Sequence, residues 1–140
     1  MNAFYTFDPC QVSVIFNGAI ICGFADSDFV DISYDVENMF SDHCSIDGQV
    51  TRIKNNDKRG SVVLKLNSTS SSNKVLSTMA QIDQKTQTAA GAILIKDQKG
   101  ETVVTGANCW IAGWPKATIG KEIAVREWRI RVAQLEVFYA

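Results

Sequence analysis

Asn17-Gly18 stands between two runs of alternating apolar residues, Val12, Val14 and Phe16 before it and Ile20, Cys22 and Phe24 after it. Both residues of the pair tolerate the positive φ that a type I′ turn requires, so residues 11 to 24 read as a β-hairpin. A two-residue turn also fixes the register. Phe16 faces Ala19 and Val14 faces Ile21 on one side, while Ile15 faces Ile20 and Ser13 faces Cys22 on the other. Both sides are largely apolar. A sheet with one wet face has no use for that, so the second side calls for cover from another layer of the chain or from another subunit.

Downstream the pattern stays β-rich. Val30, Ile32, Tyr34 and Val36 alternate with Asp31, Ser33, Asp35 and Glu37, which predicts a strand with one core face and one acidic row. Residues 38 to 47 show no sustained period and read as a loop long enough to reach away from the body. Residues 49 to 55 and 61 to 67 read as strands joined by the polar turn Asn55 to Gly60. Val75, Leu76, Met79 and Ile82 recur at helical spacing between Lys74 and about Gln87, with Ser71 or Ser72 as the N-cap and Gly91 just past the end. Ala92 to Lys96 and Glu101 to Thr105 flank a Gly-bearing loop and read as a further hairpin. Residues 106 to 120 read as a short strand and an ordered loop. In the last run, Lys121 to Phe138, the apolar phase switches from odd (Ile123, Val125) to even (Trp128, Ile130, Val132) and back to odd (Leu135, Val137), which calls for a bulge or a change of environment. The expected fold is mainly β, an antiparallel sandwich or barrel-like protomer with one packed α-helix, in a single domain spanning residues 1 to 140.

Charge is divided along the chain. Residues 1 to 50 hold eight acids and no Lys or Arg, whereas the remaining 90 hold seven acids and all fourteen bases, which sums to the net charge of -1. A near-neutral chain lacks the basic footprint of a protein that grips nucleic acid regardless of sequence. No stretch approaches the roughly eighteen apolar residues of a membrane span, and the opening residues lack the basic and apolar regions of a signal peptide, so the expectation is a protein made and kept in a cytosol. Cys10, Cys22, Cys44 and Cys109 form no C-x-x-C pair and have one histidine, His43, to join them, so no zinc site is expected and the thiols read as reduced, with Cys22 packed in a strand.

Catalytic patterns are missing as well. His43 sits in a polar stretch without a nucleophile motif and reads as a solvated loop residue. Asp47-Gly48 and Asp57 to Gly60 fit turn chemistry and lack EF-hand spacing, and no phosphate-cradling glycine motif occurs. Asp31 and Asp35, at i and i+4 on one strand face, would lie roughly 13 Å apart, beyond the roughly 5 to 9.5 Å used by paired glycosidase carboxylates. No cofactor is expected. Trp110 and Trp114 could stack on sugar rings, or equally anchor an interface or core.

The opening Asp8-Pro-Cys-Gln-Val-Ser-Val-Ile, then Gly23-Phe-Ala-Asp, Gly48-Gln-Val-Thr-Arg52, Lys54-Asn-Asn-Asp57-Lys-Arg-Gly60 with the alternating run to Leu66, and Thr-Ser-Ser-Ser-Asn73 before a helix, form an ordered set. Together they resemble the tail tube proteins of contractile-tailed phages, a family related to the inner-tube protein of type VI secretion. The resemblance covers most of the chain and is strongest from residue 8 to about 76.

It implies a non-enzymatic structural subunit of the virion tail, assembled in the bacterial host cytoplasm into stacked, hexameric rings that conduct DNA into the host. It also implies tail sheath, tape measure, baseplate and tail terminator proteins as partners, phage DNA passing without specific binding, and no membrane. The aperiodic segment near residues 37 to 47 would then reach an adjacent subunit or the next ring. Asp31 and Asp35 are the candidate lumen-facing acids, because an acidic wall repels the DNA polyanion and leaves it mobile. Phe40, Asp42, His43, Arg52, Lys54, Lys58 and Arg59 are the candidate contacts between subunits or rings, where acids of the first 50 residues could meet bases of a neighbouring copy. The alternatives are a monomeric β-sandwich binding module that takes a carbohydrate or protein ligand, the former through Trp110 and Trp114, and a small β-rich hydrolase.

Overall fold

The structure is a computed structural model and describes residues 12–25, 29–87, 91–97 and 103–139. Seven strands form one antiparallel sheet in the order β2-β1-β7-β8-β9-β6-β3, and β4 and β5 form a separate pair. β1 (Val12–Phe16) and β2 (Ala19–Ile21) are the expected hairpin, in the expected register from Phe16↔Ala19 to Val14↔Ile21. Asn17 and Gly18 turn the chain with φ of 51° and 82°, as a type I′ turn demands. Val14, Phe16 and Ile21 point into the core, whereas Ile20 on the opposite side is 72% exposed. The second apolar side of the hairpin is therefore left uncovered at Ile20 by the described residues. Cys22 lies past the end of β2 and is exposed, contrary to the packed strand position expected of it.

β3 (Val30–Tyr34), β6 (Gly60–Asn67), β7 (Gly91–Asp97), β8 (Val103–Gly113) and β9 (Val125–Phe138) complete the sheet. The inward side chains of β1 and β7 share one core with those of β6, β8 and β9, so the sheet curls around a common interior that includes Phe16, Ile95, Leu64 and Trp128. Each large apolar side chain buried there contributes about 1.5–3 kcal/mol. Strand β8 carries a bulge. Gly91 pairs with Cys109 but Ile93 with Gly106, so Ala107 and Asn108 together oppose Ala92, and Asn108 takes a φ of 57°. The inward positions of β8 thereby move from Val104 to Cys109, and β9, in unbroken register with β8 there, moves from Leu135 to Val132. The second phase change of the sequence is this kink. The first has another origin, since Ile123 and Val125 lie outside the core at 63% and 44% exposure. β8 also runs to Gly113, longer than the short strand expected.

The helix α1 (Ser72–Thr86) begins two residues before the expected start. Ser71 is already helical in φ and ψ and makes no side-chain cap, and Ser72 is inside the helix. The capping oxygen comes instead from Ser70, whose Oγ accepts the Ser72 N–H at 3.2 Å and donates to the Cys22 carbonyl at 2.6 Å. At the other end Gln87, not Gly91, adopts the left-handed conformation, and its N–H bonds the Asp83 carbonyl. Leu76 and Ala80 are buried, so this helix lays one face on the core. Among the described residues no helix is long and apolar enough to cross a membrane.

Candidate assembly surfaces

Residues 38 to 47 are not a loop. β4 (Phe40–Cys44) pairs antiparallel with β5 (Val50–Lys54), and all ten strand residues are exposed. The pair is a projecting arm. Its turn closes through Gly48, at a φ of 88°, with the Ser45 N–H bonded to the Gln49 carbonyl. At its root the Asn55 N–H bonds the Met39 carbonyl. Sequence periodicity missed β4 because alternation records burial of one face, and this strand buries neither. An isolated two-stranded ribbon is marginal in water, and this one exposes Phe40, Ile46, Val50 and Ile53.

The arm carries five of the candidate contact residues. Arg52 stacks its guanidinium on the Phe40 ring at 4.1 Å, and it is the Cα partner of Asp42. His43 is exposed opposite Thr51, and Lys54 lies opposite Phe40. Lys58 and Arg59 belong to the link from the arm to β6. The Lys58 carbonyl accepts the Leu135 N–H and the Arg59 carbonyl accepts the Asp35 N–H, which fastens the arm's root to β9 and β3. Arg59 donates from Nε and Nη2 to the Asp57 carboxylate at 3.0 and 2.9 Å, and these bonds hold the Asp57 pKa down to about 2.

Asp31 and Asp35 lie on the outward side of β3 and its continuation, in line with Ser33, whose Oγ meets that of Ser61. Each faces a base from beyond residue 50. Lys65 Nζ is 3.6 Å from the Asp31 carboxylate. Arg131 grips Asp35 with both terminal nitrogens, one of them at 2.8 Å, and this bidentate pair lowers the Asp35 pKa. Part of the charge division along the sequence is thus closed within one chain. Sequence reasoning did not find Lys65 or Arg131 as partners, because only the strand order β9-β6-β3 sets them beside these acids.

Between the arm's root and the end of β9 lies a groove of about 560 Å³. Tyr34, Val36, Met39, Phe40, Val137 and Tyr139 supply most of its apolar wall, and the Tyr34 hydroxyl donates to the Leu135 carbonyl at 2.8 Å beside it. No motif marked this groove. Its parts come from β3 and the arm on one side and from β9, distant from both in sequence, on the other. Of the two candidate tryptophans, Trp114 leans on buried Trp128 with ring centroids 5.9 Å apart. Trp110 in β8 is the Cα partner of Arg131 in β9 and is 39% exposed.

Residues 4–139 match the family model of the bacteriophage PhiTE tail tube protein. Structural protein ORF10 of Pseudomonas phage KPP10 is 27% identical over 133 residues, covering 89% of this chain and 76% of that protein. In fold the chain is similar to the tube-terminating cap of the anti-feeding prophage, with a TM-score of 0.68 at 14% identity over 100% of this chain and 95% of the other. It is also similar to a chain of the PVC sheath-tube complex, an extracellular contractile injection system in its extended state, with a TM-score of 0.64 at 15% identity over 97% and 93% of the two chains. The chain belongs to the bacteriophage PhiTE tail tube protein family and is a structural component of the phage tail, not an enzyme.

Proposed function

We propose that residues 1 to 140 form one tube module, and that copies of it close into hexameric rings which stack into the hollow conduit of a contractile tail. DNA leaves the capsid for the host through this conduit. A sheath surrounds the tube, a tape measure protein occupies it during assembly in the host cytoplasm, and terminator and baseplate proteins end it. The observation that carries the reading is the arm, ten exposed strand residues held out from the body and left uncovered by the described residues. The sheet order adds support, since among the described residues β2 and β3 are its two unpaired edges and ring closure disposes of such edges by pairing them between copies.

In this arrangement Phe40, Asp42, His43, Arg52 and Lys54 on the arm, with Lys58 and Arg59 at its root, meet neighbouring copies. Asp31 and Asp35 face the lumen. There they neutralise Lys65 and Arg131, so these bases do not hold phosphate and DNA slides past them. Mass photometry over a dilution series tests the reading. Discrete multiples of the 15.4 kDa chain that grow with concentration are expected, and a lone 15.4 kDa species at every concentration would refute it.

A further inference from the structure

Among the described residues nothing fills the groove at the arm's root or covers the turn at the arm's tip, and an apolar tip bearing an acid can meet an apolar wall bearing two lysines. Ile46, at the tip, is fully exposed, with Asp47 next to it. The distal part of the arm, residues 41 to 51, carries acids but no Lys or Arg. The groove offers an apolar wall with Lys54 and Lys58, neither of which has a carboxylate in ion-pair range among the described residues. Glu37, Glu136 and Asp57 also line it, and Asp57 is already bonded to Arg59. A two-stranded arm of this length holds its tip roughly 20 Å from its root, so the tip cannot fold back into its own groove.

We propose that the groove is the receptor for the arm tip of a second copy, with Ile46 seated against Val137 and Tyr139 and Asp47 directed to Lys54 and Lys58. This rests on the self-assembly of the preceding section and names the surface that receives the arm. The contact is heterologous, each copy giving its tip and receiving another, so it propagates from copy to copy.

The test places a photo-crosslinking p-benzoylphenylalanine at position 139, where Tyr139 is 75% exposed and already aromatic. Assembled tubes are illuminated, cut at aspartates and mapped by mass spectrometry. The expected adduct lies on the residues around Ile46 of another copy and is absent from dissociated protomers. An adduct on the chain's own first eleven residues or on another protein, or none in tubes that form normally, would overturn the proposal while leaving the tube reading intact. Failure of the unsubstituted protein to form tubes would instead refute that reading. As a second arm, Ile46→Asp should keep the wild-type melting curve and raise the concentration needed for assembly by about tenfold to a hundredfold, the range given by losing one buried aliphatic side chain. Unchanged assembly by this variant would also overturn the proposal.

Discussion

The buried Asn73 side chain accepts the Trp128 indole N–H at 2.9 Å, joining the first turn of the helix to the first part of β9. Its Nδ2 donates to the carbonyls of Asn67 and Ser70 at 2.8 and 3.2 Å. One amide thus satisfies three polar groups. Asn73→Ala strands the indole N–H and is expected to cost about 2–4 kcal/mol in a urea titration. Ser71→Ala, two residues away but with no side-chain cap bond, should stay within about 0.5 kcal/mol.

Acid weakens the pairs at the arm's root. The Asp57 pKa is held at about 2 by Arg59, and the Asp35 pKa is lowered by Arg131. Both stand below the ordinary value of about 3.9 in the unfolded chain, so their contribution is present above that value and is lost as pH falls through each lowered pKa, about 2 for Asp57. Urea midpoints measured from pH 7 to pH 2 should fall most steeply in that window. In the double variant Asp35→Asn, Asp57→Asn that fall should be shallower.

The arm is separable from the body. Replacing Phe40–Lys54 with a short Gly-Ser turn uses the existing Met39 to Asn55 closure and removes no residue of the common core. The expected change in protomer stability is under about 1 kcal/mol, because exposed strand residues contribute little and loop closure varies slowly with length. Tube formation should be abolished. Calorimetry and sedimentation of the same sample report the two outcomes together.

What the sequence disclosed and what it hid follow from burial. Asn17-Gly18 was legible because its turn chemistry is local, and the register from Phe16↔Ala19 followed from turn length alone. The row Val30 to Asp35 was legible because β3 has one inward and one outward side. The arm was not, since a strand that buries neither face is under no pressure to alternate. Nor was the Asp35 to Arg131 pair, whose members are 96 residues apart and meet only through the strand order. The bulge at Asn108 was signalled in β9 by the phase change of its partner strand, but its own location in β8 was not.

Salt distinguishes electrostatic from apolar adhesion between copies. With acids at the arm tip and lysines at its root, the concentration needed for assembly should rise as sodium chloride increases from 0.05 M toward 1 M, where the Debye length falls to about 3 Å. Light scattering follows this directly. A threshold that does not move with salt would place the adhesion in the apolar contacts alone.

In the proposed assembly, copies of this chain build a tube through their projecting arms. Electron microscopy of the purified protein, with three-dimensional reconstruction, tests it most directly. Stacked annuli with a central channel are expected, each arm of β4 and β5 lying against another copy. Dispersed protomers at every concentration, or tubes whose arms touch no neighbour, would contradict it.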